Sequence, residues 1–357
     1  MSATALLITR DDHLLEEMLR LAAAAGVVLD VAHDPDSAAL GWSGPATVLV
    51  GADLAAGVAA RRPVRRDQVH VVAHGVASGD LFRHALAIGA TQVVELPDAE
   101  TWMVELLTDA ADGATSRSGL TVGVVGGCGG AGASTLAAAL ALVPTSPEHP
   151  VTLIDADPLG GGLDQVVGLD DSDGVRWDAL VGAGGRFSSR SLREALPGRD
   201  GLSLLTWPVT PVDLGDGSAA REVLSAAQRG SRLVVIDVPR HLDPVIEDLL
   251  GRCDHVVLVS GLSLPAVAAA GRVAARVARV SRQVHLVTRG AGAGLGPDDV
   301  AAALGVPLLA AMADQRRLHE WIDLGLGPVH SRRGPLAKAC RRVLDALDRP
   351  APQRSAA

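Results

Sequence analysis

Lysine is nearly missing from this 357-residue chain: its 32 basic residues are 31 arginines and one lysine, Lys338. Any role that needs a lysine elsewhere is excluded. Tyrosine is absent, and aromatics make up 2% of residues, so the core must be aliphatic. With 48% hydrophobic residues the chain can still bury cores for two ordinary domains. A net charge of -9 disfavours a dedicated nucleic-acid binder, which normally carries a basic balance. The cysteines, Cys128, Cys253 and Cys340, are odd in number and widely spaced. They suit neither a metal motif nor a disulfide framework, as expected of a reducing compartment. The N-terminal residues lack the basic-then-apolar layout of a signal peptide. The longest membrane-like run, 262–280, is broken by Arg272, Arg276 and Arg279. These absences predict a cytoplasmic protein without a transmembrane segment.

What is present is a double alternation of short apolar runs and helical patterns. In the first 107 residues the candidate strands are 5–9, 27–32, 46–52, 68–74 and 91–96. Between them, 11–26 reads as a helix capped by Asp11, and 81–90 as another. A polar stretch, 108–119, reads as a linker. The second alternation, 120–348, has candidate strands at 120–126, 150–155, 202–207, 232–237, 255–260, 283–288 and 306–311. Helical patterns fill the intervals, notably 133–143, 219–229, 263–280 and 297–304, with 335–348 closing the domain. The pattern predicts α/β folds with mostly parallel, doubly wound sheets, followed by a disordered tail at 349–357.

The chemistry is concentrated in "GGCGGAGAST", residues 126–135. It follows a predicted strand and opens a predicted helix, the setting of a phosphate-binding loop. Gly127, Gly129, Gly130 and Gly132 let the backbone wrap an anion, and the N–H groups of the helix start supply partial positive charge. Ser134 and Thr135 offer hydroxyls, but Ala133 stands where such a loop has its lysine. The alternative is a tight strand-to-helix turn that holds nothing. Carboxylates accompany the loop. Asp155 and Asp157 end one apolar strand, and Asp237 ends another. Ligands of open α/β sheets sit at such strand ends.

The loop and acidic motifs together resemble the MinD/ParA family of deviant-Walker P-loop ATPases over roughly residues 120–348. In that family the loop reads K-G-G-x-G-K-[ST], and here Cys128 and Ala133 replace both lysines. The resemblance implies ATP and Mg²⁺ as ligands, with Gly127, Gly129, Gly130, Gly132, Ala133, Ser134 and Thr135 around phosphate. It places Ser134, Asp155, Asp157 and Asp237 near Mg²⁺, and gives Asp157 and Asp237 the catalytic positions. The adenine-contacting positions depart from the family, with Thr288 and Arg289 at one strand end and no proline in 310–317. The G-A-S-T ending resembles the CpaE/TadZ-like branch of pilus assembly. Actinobacterial septum-site-determining, CpaE-like proteins share this loop and the two-domain order. The branch implies positioning of division, pilus or secretion machinery through protein partners and homodimers, at the septum, a pole or the inner face of the membrane. Hydrolysis is expected to be weak or nil. The alternatives are a slow ATPase using Arg186, Arg190 or Arg240, and a scaffold that binds no nucleotide.

The first domain resembles a response-regulator receiver, a flavodoxin-like fold, in strand–helix order and in residues 85–97. Asp11 and Asp12 could form its acidic pair. Gly51 or Ala52 falls at the phospho-acceptor site, Asp53 lies beyond it, and Leu96 replaces the lysine. Phosphotransfer is therefore not expected, and the domain reads as a docking or dimerisation module. Arg272, Arg276, Arg279 and Arg282 share one helical face, either a partner surface or a solvated face balanced by acids. Leu336, Cys340, Val343, Leu344 and Leu347 form an apolar stripe, expected to pack into the core rather than onto a membrane.

Overall fold

The structure, a computed structural model, describes residues 5–44, 47–113, 119–182, 187–210, 212–281, 283–290 and 294–348. The chain divides into two compact units, Met1–Arg117 with Gly185–Arg190, and Ser118–Gly184 with Ser191–Ala357.

The first unit runs β1 (Ala5–Ile8), α1 (Asp12–Ala24), β2 (Leu29–Ala32), α2 (Pro35–Gly41), β3 (Thr47–Gly51), α3 (Ala55–Ala60), β4 (Val69–His74), α4 (Gly79–Ile88), β5 (Gln92–Leu96) and α5 (Glu100–Gly113). Its sheet is parallel, in the order β2-β1-β3-β4-β5. That is the flavodoxin-like order. Consecutive side chains of a strand face opposite ways, so each strand feeds two cores. Leu6, Ile8, Val48, Val50 and Val71 enter one cluster, and Ala5, Leu7, Leu49, Val72 and Val94 the other. Because α5 continues through Gly113, the first half of the segment expected to be a linker is helical. Residues 114–118 and 349–357 lie outside the described residues.

The second unit runs β6 (Leu120–Gly126), α6 (Ala133–Leu142), β7 (Val151–Asp155), α7 (Leu163–Val167), α8 (Trp177–Leu180), α9 (Ser189–Ala195), β8 (Gly198–Arg199), β9 (Leu202–Leu205), α10 (Ser218–Gly230), β10 (Leu233–Val238), α11 (Pro244–Gly251), β11 (His255–Gly261), α12 (Leu264–Val277), β12 (Val284–Arg289), α13 (Pro297–Leu304), β13 (Leu308–Met312), α14 (Leu318–Asp323) and α15 (Pro335–Leu347). The sheet order is β13-β12-β11-β6-β10-β7-β9-β8. All pairs are parallel except β8–β9.

The chain leaves β6 in one direction to build β10, β7, β9 and β8, and later builds β11, β12 and β13 on the other side. The reversal beside β6 opens the crevice where such sheets hold ligands. Helix α6 starts there. Leu136 to Ala141 are fully buried, as expected of a helix apolar all round. Leu336, Cys340, Val343 and Leu347 of α15 join the same core, and Leu344 packs against it, so the apolar stripe is a packing face. Among the described residues no helix is long and apolar enough to cross a membrane.

Candidate functional site

The loop between β6 and α6 has positive φ at Gly130 (+69°) and Gly132 (+92°), a backbone that residues with a Cβ rarely adopt. Gly127 serves a different need: a Cβ there would lie 2.5 Å from Ala270 Cβ. Its N–H donates to Val259 O (2.8 Å) and anchors the loop to β11. The Ala131 N–H reaches Cys128 O at 3.4 Å. Among the described residues no backbone carbonyl takes the N–H groups of Gly129, Gly130 or Gly132. The first-turn N–H groups of α6, from Ala133, Ser134 and Thr135, lack helical acceptors by geometry. Such a set of donors without partners suits an anion with several oxygens.

Three carboxylates stand beside it. Asp155 and Asp237 are register partners on neighbouring strands. The Ser134 hydroxyl stands beside Asp237. Burial pushes the Asp237 carboxyl up to about 7, the Ser134 hydroxyl opposes that, and the charges of Asp155 and Asp157 add to it. Burial likewise raises Asp155 to about 6, against hydrogen bonds from Asp157, Thr206 and Leu163. Asp157 is half-buried, and its Oδ1 accepts from Leu159 N at 3.1 Å.

Asp155 has a structural role that the sequence did not show. Its Oδ1 accepts from Asp157 N (3.1 Å), and its Oδ2 from Leu163 N (3.2 Å) and Thr206 Oγ1 (3.0 Å). Trp177 Nε1 holds its backbone carbonyl at 2.8 Å. The residue pins the 155–163 turn. Thr206 and Trp177, which set this turn, carried no motif signal.

The oxygen donors suit a hard divalent cation such as Mg²⁺. A carboxyl whose charged form is disfavoured by burial, and further by neighbouring acids, returns to that form when a dication arrives. Among the described residues no group of three or more His, Cys, Asp or Glu could hold a metal by itself. Mg²⁺ at Ser134, Asp157 and Asp237 would therefore complete its shell with ligand oxygens and water, as this ion commonly does.

Arginine placement was only partly foreseen. The Arg240 guanidinium reaches the loop, with Nη2 3.7 Å from where a Gly129 Cβ would stand. Arg186 lies outside the described residues, and Arg190 falls in the segment grouped with the first unit. Arg289, noted in the sequence only as a departure from an adenine-contacting position, lies against the loop. Its Nη1 donates to Gly130 O at 3.3 Å and its Nε to Asp314 Oδ1 at 3.2 Å. A cavity of about 10 Å³, room for about one water, lies beside it and is lined by Gly132, Thr135, Met312, Gln315 and Leu336.

The receiver-like acids take structural roles. Asp11 caps α1, accepting from His13 N (3.0 Å) and Leu14 N (3.3 Å). Asp53 accepts from Thr9 Oγ1 (2.8 Å) and Arg10 N (2.7 Å), tying the β3 exit to β1. On α12, Arg276 pairs with Glu247 at 3.1 Å, which supports the balanced-face reading there, and Arg282 lies outside the described residues.

A family profile described as "Rv3660c-like, CheY-like N-terminal domain" matches residues 8–118. The uncharacterised protein Rv3660c of Mycobacterium tuberculosis is 36% identical over 343 residues, covering 95% of this chain and 96% of that protein. Among solved structures, a ParA family ATPase from Chlorobium tepidum has a TM-score of 0.56 at 17% identity, over 63% of this chain and 97% of its own. The septum site-determining protein MinD of Pyrococcus horikoshii, complexed with Mg-ADP, has a TM-score of 0.54 at 19% identity, over 64% and 96%. A MinC:MinD cell division complex from Aquifex aeolicus has 0.53 at 17%, over 67% and 100%. The second unit's parallel α/β sheet thus has the MinD/ParA P-loop fold, and the first is a CheY-like domain.

Proposed function

The chain belongs to the Rv3660c-like family, and from that premise we propose that it is a regulatory P-loop protein responsive to nucleotide and Mg²⁺. Its output passes through protein contacts, with hydrolysis slow or nil. The observation that carries this reading is a cradle of N–H donors that has neither lysine, with Ser134 and the buried Asp237 beside it. The cradle and the Mg²⁺-type oxygens point to binding. The missing lysines point away from rapid turnover, because losing one such charge costs phosphoryl transfer about 3 kcal/mol or more.

In this reading ATP enters with Mg²⁺, because three nearby carboxylates repel a bare polyphosphate. When bound, the cation offsets phosphate charge. Ser134, Asp157 and Asp237 orient it, and the glycine N–H groups hold phosphate oxygens. Solved proteins of this fold include a septum site-determining protein and one complexed with MinC. That likeness supports a positioning role, at the division septum or, as in the CpaE-like branch, a pilus or secretion apparatus. A second copy and protein components of that machinery are the proposed partners, with the protein in the cytoplasm and reaching the membrane face through them.

Calorimetric titration with ATP–Mg²⁺ beside a phosphate-release assay tests the proposal. Measurable heat with slow or undetectable release is expected. No heat from the wild type would leave the scaffold reading in its place. The rival reading, a slow but genuine ATPase, draws support from Arg240 at Gly129. Steady release abolished by Asp157→Ala would favour it.

A further inference from the structure

We propose that Arg289 is the exchangeable cation of the phosphate loop, trading Asp314 and the Gly130 carbonyl for the phosphates of a nucleoside polyphosphate. This rests on the reading above that the loop binds nucleotide, and it names the residue that supplies the missing charge.

Four observations carry the assignment. The chain's single lysine, Lys338, is exposed on α15, and the loop positions that could hold a lysine are Cys128 and Ala133. Arg289 ends β12 and extends over the loop, where a Gly132 Cβ would come within 2.8 Å of its Nη1 and 3.3 Å of its Cδ. Gly132 is thus required for its φ of +92°, and the guanidinium lies where a side chain would stand. The carboxylate partner of Arg289 is weak. Asp314 is 70% exposed, and surface pairs of this kind contribute little and are readily exchanged. Finally, Gln315 lines the same pocket, and its Oε1, 2.7 Å from where a Gly334 Cβ would stand, is buried without a hydrogen-bond partner. A buried acceptor lacking a donor favours a ligand that carries one, such as the amino group of a base.

Arginine suits the exchange. It stays charged at any physiological pH and binds phosphate through two parallel N–H donors. Moving Nη1 from Gly130 O onto phosphate frees that carbonyl and releases Asp314 beside Gln315. Occupancy of the loop is thereby transmitted to the segment between β13 and α14, one step from the pocket.

The test is calorimetry on the full chain with ATP–Mg²⁺ and, separately, inorganic tripolyphosphate, which lacks a base. Circular dichroism verifies folding of each variant. Arg289→Gln is expected to weaken both ligands roughly 10- to 100-fold, as for loss of one charge-assisted pair. Arg289→Lys should restore part of the loss, and Asp314→Asn should tighten both ligands severalfold by removing the competing carboxylate. Gln315→Leu should weaken ATP and leave tripolyphosphate unchanged. Arg289→Gln binding at wild-type strength, or more tightly, overturns the assignment while leaving nucleotide binding intact. If the Gln variant fails to fold, unchanged binding by Asp314→Asn overturns it instead. Wild type that takes up neither ligand sinks both this inference and the reading it rests on.

Discussion

Ser134 in the first turn of α6 stands beside Asp237 at the end of β10, across the crevice beside β6, and its hydroxyl favours the charged carboxylate. Ser134 is exposed and Asp237 is 4% exposed, so the pair links a surface hydroxyl to a buried acid. Ser134→Ala removes the hydroxyl that holds the Asp237 carboxyl down, so the carboxyl shifts further upward. Stability should stay within about 1 kcal/mol of wild type, as for most surface substitutions. The gain in ATP affinity on adding Mg²⁺ should shrink roughly tenfold. Calorimetry with and without Mg²⁺ checks this, and an undiminished Mg²⁺ effect would remove Ser134 from the cation site.

Asp155 and Asp157 should separate cleanly under mutation. Asp155→Ala leaves the fully buried Thr206 hydroxyl and the Leu163 N–H without their acceptor. Orphaned buried donors cost about 1–3 kcal/mol each, so this variant should lose about 3 kcal/mol or more. Asp157→Ala loses the Leu159 N–H contact at an exposed backbone position and should cost under about 1 kcal/mol. Its effect should fall on Mg²⁺-dependent binding instead. Denaturant unfolding of the two variants decides, and equal losses would refute the division of labour.

The contrast between those two aspartates shows where the sequence is legible. Strands such as 120–126, 232–237 and 255–260 stand out as runs rich in Val, Leu and Ile, and the structure places β6, β10 and β11 there. The short elements α2, α3, α7, α8 and β8 were not foreseen, because two to seven residues are too few to display a period. The glycine loop and its acids were readable as local motifs. The direction in which Asp155 turns its oxygens depends on Thr206 and Trp177, which come from other segments. The approach of Arg289 to Gly132 depends on strand order, since β12 reaches the loop only because β11 alone separates it from β6. Long-range placement of that kind leaves no local trace.

Gly130 and Gly132 offer a controlled comparison. Both have positive φ, so alanine at either strains the backbone by about 1–2 kcal/mol. A Cβ at Gly130 meets nothing within 4 Å, whereas one at Gly132 meets the Arg289 guanidinium. The guanidinium is the end of a flexible chain and will swing aside at little further cost. The two variants should therefore melt alike, and Gly132→Ala should bind tripolyphosphate several times more weakly than Gly130→Ala. Equal affinities would show that the position of Arg289 over Gly132 has no bearing on the ligand.

At the other end of the sheet a histidine pair should govern acid sensitivity. His255 Nδ1 and His285 Nε2 lie 3.1 Å apart on neighbouring strands β11 and β12. Burial, followed by the charge of His255, lowers His285 to about 4, and burial lowers His255 as well. An unfolded histidine titrates near 6.5. Between pH 6.5 and 4 the unfolded chain therefore binds a proton that folded His285 refuses, so stability declines as pH falls through that window and is unaffected above it. His285→Gln removes this proton difference. Guanidinium unfolding at pH 7, 6 and 5 should show a shallower decline for the variant, by up to about one proton in the linkage slope. Parallel declines in variant and wild type would mean that the folded protein protonates His285 as readily as the unfolded chain does, with the ring open to water.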